Sequence, residues 1–182
     1  DDLNATSTTH LHGLSMTAVK FGIAFTTRFL NQGGALVNVL TDGTVQVSTG
    51  ATEMGQGVNA RIAQVVAESF GIPMEHVRVM PTSTEKIPNT SPTAASSGTD
   101  INAAAALAAC VKIKARLSEL AAKLVDIPAE KWAAKTAPIG TAPEVEVPGK
   151  AGIDVDLHKT IAFTDLVKEA YFNRIPLSDT GY

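Results

Sequence analysis

The chain has 182 residues, 45% apolar, 18% charged and 5% aromatic, with 15 basic and 18 acidic side chains and a net charge of −3. That length suits one domain with a core of its own, and the apolar share argues against wholesale disorder. The charge balance gives no reason to expect a polyanion-binding surface of the kind nucleic-acid binders use, and the single cysteine, Cys110, excludes an intramolecular disulfide.

Residues 1–18 are polar and lack periodicity, so they read as a lead-in. They open on Asp1 and Asp2 and an Asn/Thr/Ser stretch, the opposite of a signal peptide's basic start and apolar middle. The best uncharged apolar stretch, residues 101–111, is about half of the roughly 20 residues a bilayer crossing needs. A cytoplasmic, soluble chain with no nucleic-acid or membrane partner is expected. Residues 19–27 alternate Phe21, Ile23 and Phe25 and read as a strand. After the loop Asn31-Gln32-Gly33-Gly34, two β-rich runs, 35–40 and 44–48, flank Thr41-Asp42-Gly43. An Asp-Gly pair tolerates positive φ, which predicts a hairpin.

The run Gly50-Ala51-Thr52-Glu53-Met54-Gly55-Gln56-Gly57 precedes a helical pattern with Val58, Ile62, Val65, Val66 and Phe70 on one face. Gly71 is placed for a left-handed cap, and Pro73 forbids continuation. Residues 75–80 carry a short strand, with Val77 and Val79 facing one side. Residues 81–99 form a Thr/Ser/Asn/Pro loop, long for a compact domain and of the kind that carries function. Asp100 is the expected N-cap of the next helix, whose buried stripe is read as Leu107, Val111, Leu117, Leu120 and Leu124. Pro128 closes that region.

Beyond it, a short helix near Lys131 and Trp132, a hairpin pairing 144–147 with 153–157, and a helix capped by Thr164 and carrying Leu166, Val167 and Tyr171 are expected. The fold class is α+β: a two-layer unit with a mixed β-sheet, in the order strand, hairpin, helix, strand, helix, over residues 19–127. Residues 128–182 form a less regular following segment.

Two segments suggest chemistry. Gly55-Gln56-Gly57 at a strand-to-helix entry can bring backbone N–H groups to an anion, with Gln56 adding a side-chain donor. The plainer alternative is a tight turn that needs glycine for its backbone angles. Asn89–Gly98 offers hydroxyls at Thr90, Ser91, Thr93, Ser96 and Ser97 that can line an uncharged polar pocket; the alternative is an exposed Ser/Thr loop. Glu53 reads as a structural or solvated acid, because a free carboxylate beside an anion would oppose binding. Cys110 reads as an inert core thiol, and Lys112, Lys114 and Arg116 as a solvated basic face. No metal-ligand spacing occurs among His10, His12, His76 and His158, and no catalytic residue is assigned within the chain.

Lys20-Phe21-Gly22-Ile23-Ala24-Phe25-Thr26, Phe29-Leu30-Asn31-Gln32, Thr41-Asp42-Gly43, Thr52-Glu53-Met54-Gly55-Gln56-Gly57 and Asn89-Thr90-Ser91-Pro92-Thr93-Ala94-Ala95-Ser96 resemble the molybdenum-cofactor-binding region of the xanthine dehydrogenase / aldehyde oxidase family, in order and spacing, over roughly residues 12–125. The resemblance implies a molybdopterin, in simple form or as its cytosine dinucleotide, whose molybdenum is held by the cofactor's own sulfurs. It implies hydroxylation of a purine-type heterocycle or aldehyde with water-derived oxygen, and electron transfer to iron–sulfur clusters and FAD on other domains or subunits. Carried over by motif, Met54, Gly55 and Gln56 would contact pterin and phosphate. Ala95 would lie near the molybdenum, Ser96, Ser97 and Gly98 would hold the cofactor, and Phe25 and Thr26 would face the substrate. Ala51 stands where relatives often have a second glycine.

The family's Gly-Glu-Pro-Pro stretch, which carries its catalytic glutamate, is absent. The resemblance therefore implies part of a molybdenum subunit, inactive alone, whose partners are the remainder of that subunit, the iron–sulfur/FAD portion and a small-molecule substrate. The alternatives are a stand-alone phosphate- or nucleotide-binding module and a non-catalytic assembly domain.

Overall fold

A computed structural model of the chain describes residues 2–86, 90–124 and 161–182. The core is built on the hairpin. Strands β1 (Ala35–Val39) and β2 (Val45–Thr49) pair antiparallel with Val37 opposite Val47. Between them Asp42 Oδ1 accepts both the N–H and the hydroxyl of Thr44, at 2.9 and 2.7 Å, and Gly43 takes the positive φ its position requires. Alternation then places Ala35, Val37, Val39, Val45 and Val47 on one buried face.

Helix α2 (Val58–Phe70) covers that face with Val58, Ile62, Ala63, Val66 and Phe70, and Gly71 ends it in the left-handed conformation. Strand β3 (Val77–Val79) follows a 3₁₀ turn, Met74–His76, and pairs parallel with β2. Helix α3 (Gly98–Leu124) crosses the same face, and α4 (Phe163–Phe172) joins the core through Phe163, Leu166, Val167 and Ala170. Phe163 meets Phe70 with ring centroids 5.6 Å apart. A last strand, β4 (Ser178–Gly181), adds antiparallel to β1, so the sheet order is β3-β2-β1-β4 and its character is mixed. The α+β class and the mixed sheet match the sequence expectation. No described helix is long and apolar enough to cross a membrane.

Four expectations are corrected. Residues 19–27 form no strand: Val19, Phe21 and Ile23 are 82%, 73% and 58% exposed, and no described strand offers their backbone a partner. The alternating pattern is present, but a strand needs a ladder to satisfy its N–H and C=O groups. Asp100 is not the cap of α3, which starts two residues earlier, with the Ser97 carbonyl accepting the first helical bond from Ile101 at 3.1 Å. The buried face of α3 is the alanine-rich one, Ala103, Ala105, Ala106, Ala109 and Cys110 with Ile113, Leu117 and Leu120, whereas Leu107, Val111 and Leu124 are exposed. Close approach explains this: a side chain on Gly181 of β4 would run into the Ala105 carbonyl, so only small residues fit there. Finally, Ala162 rather than Thr164 precedes α4, and Tyr171 points outward at 61% exposure.

The short helix α1 (Asp2–Thr6) and strand β4 were not anticipated; the latter reads Ser-Asp-Thr-Gly, with no β-branched alternation to announce it. The expected helix near Lys131 and Trp132 and the hairpin of 144–157 lie outside the described residues.

Candidate functional site

Residues 50–57 leave β2 and enter α2 through a loop held by its own side chains. Gly55 and Gly57 take φ of 97° and 76°, conformations that strain any residue with a Cβ. Glu53 folds over this turn. Its Oε1 accepts the N–H groups of Gly55 and Gly57, both at 2.9 Å, and its Oε2 accepts that of Asn59 at 3.0 Å. These bonds, Asn59 first, hold its carboxyl below the usual glutamate range. Gln56 clamps the opposite side: its Oε1 accepts the Met54 N–H at 2.6 Å and its Nε2 donates to the Thr52 carbonyl at 2.9 Å. Ala51 is buried in the core and has no positive φ, so an alanine fits this position without strain.

The second loop ends at α3. Ala95 and Ser96 both hold φ of 54°, and Ala24 holds 80°, uncommon values for residues other than glycine. The three are joined, since the Ala24 N–H donates to the Ala95 carbonyl at 3.0 Å. Further back, the Ser91 N–H donates to the Gln32 carbonyl, and the Gln32 N–H to Ser91 Oγ, at 3.0 and 3.3 Å. Backbone held in such regions costs on the order of 1–3 kcal/mol per residue and clusters at functional sites. Beneath the first turn of α3, Asn102 is 3% exposed; its Nδ2 donates to the Gly98 carbonyl, and its Oδ1 has no partner among the described residues.

The two loops meet. The Thr52 N–H donates to Thr93 Oγ1 at 2.9 Å, and Gly50 lies so close to the Thr90 side chain that no Cβ would fit between them. A cleft of about 330 Å³ opens at the junction, lined by Met54, Gln56, Val58, Arg61, Thr93, Ala94, Ser96, Gly98 and Thr99. Its chemistry is three hydroxyls, one guanidinium, one amide, a thioether and no carboxylate. Such a set donates hydrogen bonds, attracts negative charge and leaves an apolar wall for a ring.

Of the residues expected from sequence, Met54, Gln56, Ser96 and Gly98 line the cleft. Gly55 and Ala95 sit in the turns behind it. Ser97 is 2% exposed and its hydroxyl donates to the Ala94 carbonyl. Phe25 is half-buried, its N–H and C=O both bonded to the Asn31 side chain, and Thr26 is exposed; they lie next to Ala95 through Ala24 but do not line the cleft.

At the start of α2, Glu53 takes the N–H groups of Gly55, Gly57 and Asn59, so these three donors are not free for an anion. Arg61 and Thr99 were missed. The signal for Arg61 was its spacing three residues after Val58, one turn into the helix that follows the glycine loop. Elsewhere, burial pushes the Cys110 thiol up to about 11, as an inert core position requires. The basic run on α3 is not simply solvated: Arg116 pairs with Asp179 at 2.7 Å, and Lys112 with the same carboxylate at 3.3 Å.

The model of the molybdopterin cofactor-binding domain matches residues 1–182. Xanthine dehydrogenase 1 of Arabidopsis thaliana is 41% identical over 182 residues, all of this chain and 11% of that protein. Xanthine dehydrogenase of Oryza sativa subsp. japonica is 49% identical over 122 residues, 67% of this chain and 9% of that protein. The chain thus spans about a tenth of the length of these relatives. Among solved structures, the reconstituted CO dehydrogenase of Oligotropha carboxidovorans superposes with a TM-score of 0.69 over 83% of this chain and 18% of that chain. Quinoline 2-oxidoreductase of Pseudomonas putida 86 superposes with a TM-score of 0.61 over 82% and 18%. At 23% identity in both cases, that likeness is one of fold.

Proposed function

The chain belongs to the molybdopterin cofactor-binding domain family, and from that membership we propose that the cleft between residues 52–61 and 93–99 is its part of the molybdopterin seat. The observation that carries this reading is the meeting of the two motif loops, tied by the Thr52–Thr93 hydrogen bond, around a cleft whose only charged lining residue is cationic. The donor set suits the group: a pterin phosphate is anionic, rich in acceptors and flat.

Arg61 would neutralise the phosphate. The hydroxyls of Thr93, Ser96 and Thr99 would bond its oxygens and the pterin edge, and Met54 would pack on the ring face. Gln56 would act mainly through the loop it clamps, because both ends of its amide are committed to backbone partners. Gly55, Ala95, Ser97 and Gly98 would shape the backbone on either side. Phe25 and Thr26, held beside Ala95, would form the wall past which substrate approaches, with ring contacts of about 0.5–1.5 kcal/mol. When bound, the cofactor supplies the molybdenum redox centre that hydroxylates a heterocycle or aldehyde with oxygen from water.

The chain supplies no general base in this reading. The base, the iron–sulfur clusters and FAD would come from the remainder of a longer, xanthine-dehydrogenase-like protein, with residues 19–127, completed by α4 and β4 of the same core, as the cofactor-holding unit and a purine-type heterocycle as the favoured substrate.

The test is molybdopterin and molybdenum per polypeptide in the natural gene product containing these residues. Arg61→Ala is expected to lower both together by about tenfold, the loss of one charge-assisted hydrogen bond. Full loading of that variant would contradict the role given to Arg61. The 182-residue chain alone is expected to carry less than one molybdenum, and stoichiometric metal there would contradict the view that it holds only part of the seat.

A further inference from the structure

We propose that Glu53 is the positioning residue of the cleft: its carboxylate takes three backbone N–H groups where the glycine loop enters α2 and fixes the turn that presents Met54 and Gln56 to Thr93. The inference rests on the cofactor reading above and adds to it a residue that never touches the ligand.

Three backbone N–H groups, those of Gly55, Gly57 and Asn59, converge on the two oxygens of one side chain at 2.9–3.0 Å. Glu53 is exposed and free to hydrate, yet both its oxygens are committed to backbone. Without it the turn has two glycines and no internal anchor on that side, because Gln56 holds only Met54 and Thr52. Glycine pairs gain conformational freedom when released, so the loop would lose its single shape.

The geometry requires a carboxylate. A glutamine of the same size keeps one accepting oxygen for Gly55 and Gly57 but turns an NH₂ group toward the Asn59 N–H, donor against donor. The carboxylate also makes the start of α2 unattractive to a second anion. It directs a bound phosphate to the Arg61 and Thr93 side of the cleft.

The experiment compares wild type, Glu53→Gln and Glu53→Asp by amide exchange and chemical shift in the isotope-labelled 182-residue chain. In wild type the Asn59 amide is expected to exchange about tenfold more slowly than in Glu53→Gln, with a smaller difference in the same direction at Gly55 and Gly57, while Ile62 and Val66 inside α2 are unchanged. The same three amides should report one carboxyl titration in wild type and none in Glu53→Gln. Equal exchange in the two proteins, or no common titration, would overturn the proposal. If Glu53→Gln does not fold, Glu53→Asp decides: its shorter reach should lose part of the protection, and full protection counts against the proposal.

In the natural gene product, molybdopterin content should fall about tenfold in Glu53→Gln and recover partly in Glu53→Asp. Equal loading with altered amides would also overturn it, since the turn would then not position the site. A wild-type product without molybdopterin would instead sink the cofactor reading, and the amide measurements would still judge the anchoring of the turn.

Discussion

At the scale of single residues, the site divides into side chains that face the cleft and side chains that hold its walls. Arg61, Thr93, Ser96 and Thr99 face it, Glu53 holds the wall, and Gln56 does both. Gln56→Ala should therefore release Met54 and Thr52 and lower cofactor occupancy more than it alters turnover per bound molybdenum. Cofactor content and activity measured on the same preparation check this, and full occupancy in the variant would show that the clamp is dispensable.

The division was only half legible in the sequence. Gly55-Gln56-Gly57 announced a loop at a helix entry, and the Ser/Thr run announced a polar wall. That Glu53 would bend back onto the donors of its own loop depends on side-chain geometry that spacing does not encode. The strained Ala24, Ala95 and Ser96 were invisible for a related reason: alanine carries no signature of a positive φ, which here is imposed by tertiary contacts.

At the scale of elements, periodicity located α2 and the hairpin closely, because each buries one regular row of side chains, Val58, Ile62 and Val66 on the helix and Val37, Val39, Val45 and Val47 on the strands. Helix α3 failed as a stripe of large residues because it packs on the sheet, on β4 and on α2, and closeness there selects alanine over leucine. Strand β4 was silent because its inner contact is a glycine. Gly181→Ala should accordingly destabilise the domain by about 1–3 kcal/mol, the cost of overpacking against the backbone of α3. Urea unfolding of the variant checks this, and an unchanged midpoint would mean that β4 can move away from α3 at no cost.

At the scale of the whole molecule, β4 is clipped to α3 by Asp179 between Arg116 and Lys112, and the Arg116 guanidinium leads in holding the Asp179 carboxyl below its ordinary 3.8. A depressed carboxyl stabilises the fold fully above its unfolded value and loses that contribution as the pH falls through its folded value. Unfolding midpoints should thus be level near neutrality and decline below about pH 4. Asp179→Asn should start lower and decline less. An unchanged decline in that variant would remove Asp179 from the account, leaving Glu53 and Asp42, whose carboxyls are also lowered, to explain the acid sensitivity.

A length that first suited a self-sufficient domain now stands beside relatives of which it spans 11% and 9%. Leu11, Leu14, Met16, Val19 and Phe21 are exposed, and residues 19–27 pair with no described strand. We propose the cleft of Met54, Arg61, Thr93 and Thr99 as the seat of the cofactor. Anomalous X-ray scattering at the molybdenum edge, from crystals of the natural gene product, tests it most directly. A molybdenum peak between the two motif loops, beside the turn that carries Ala95, is predicted, and a peak remote from both loops would contradict that seat.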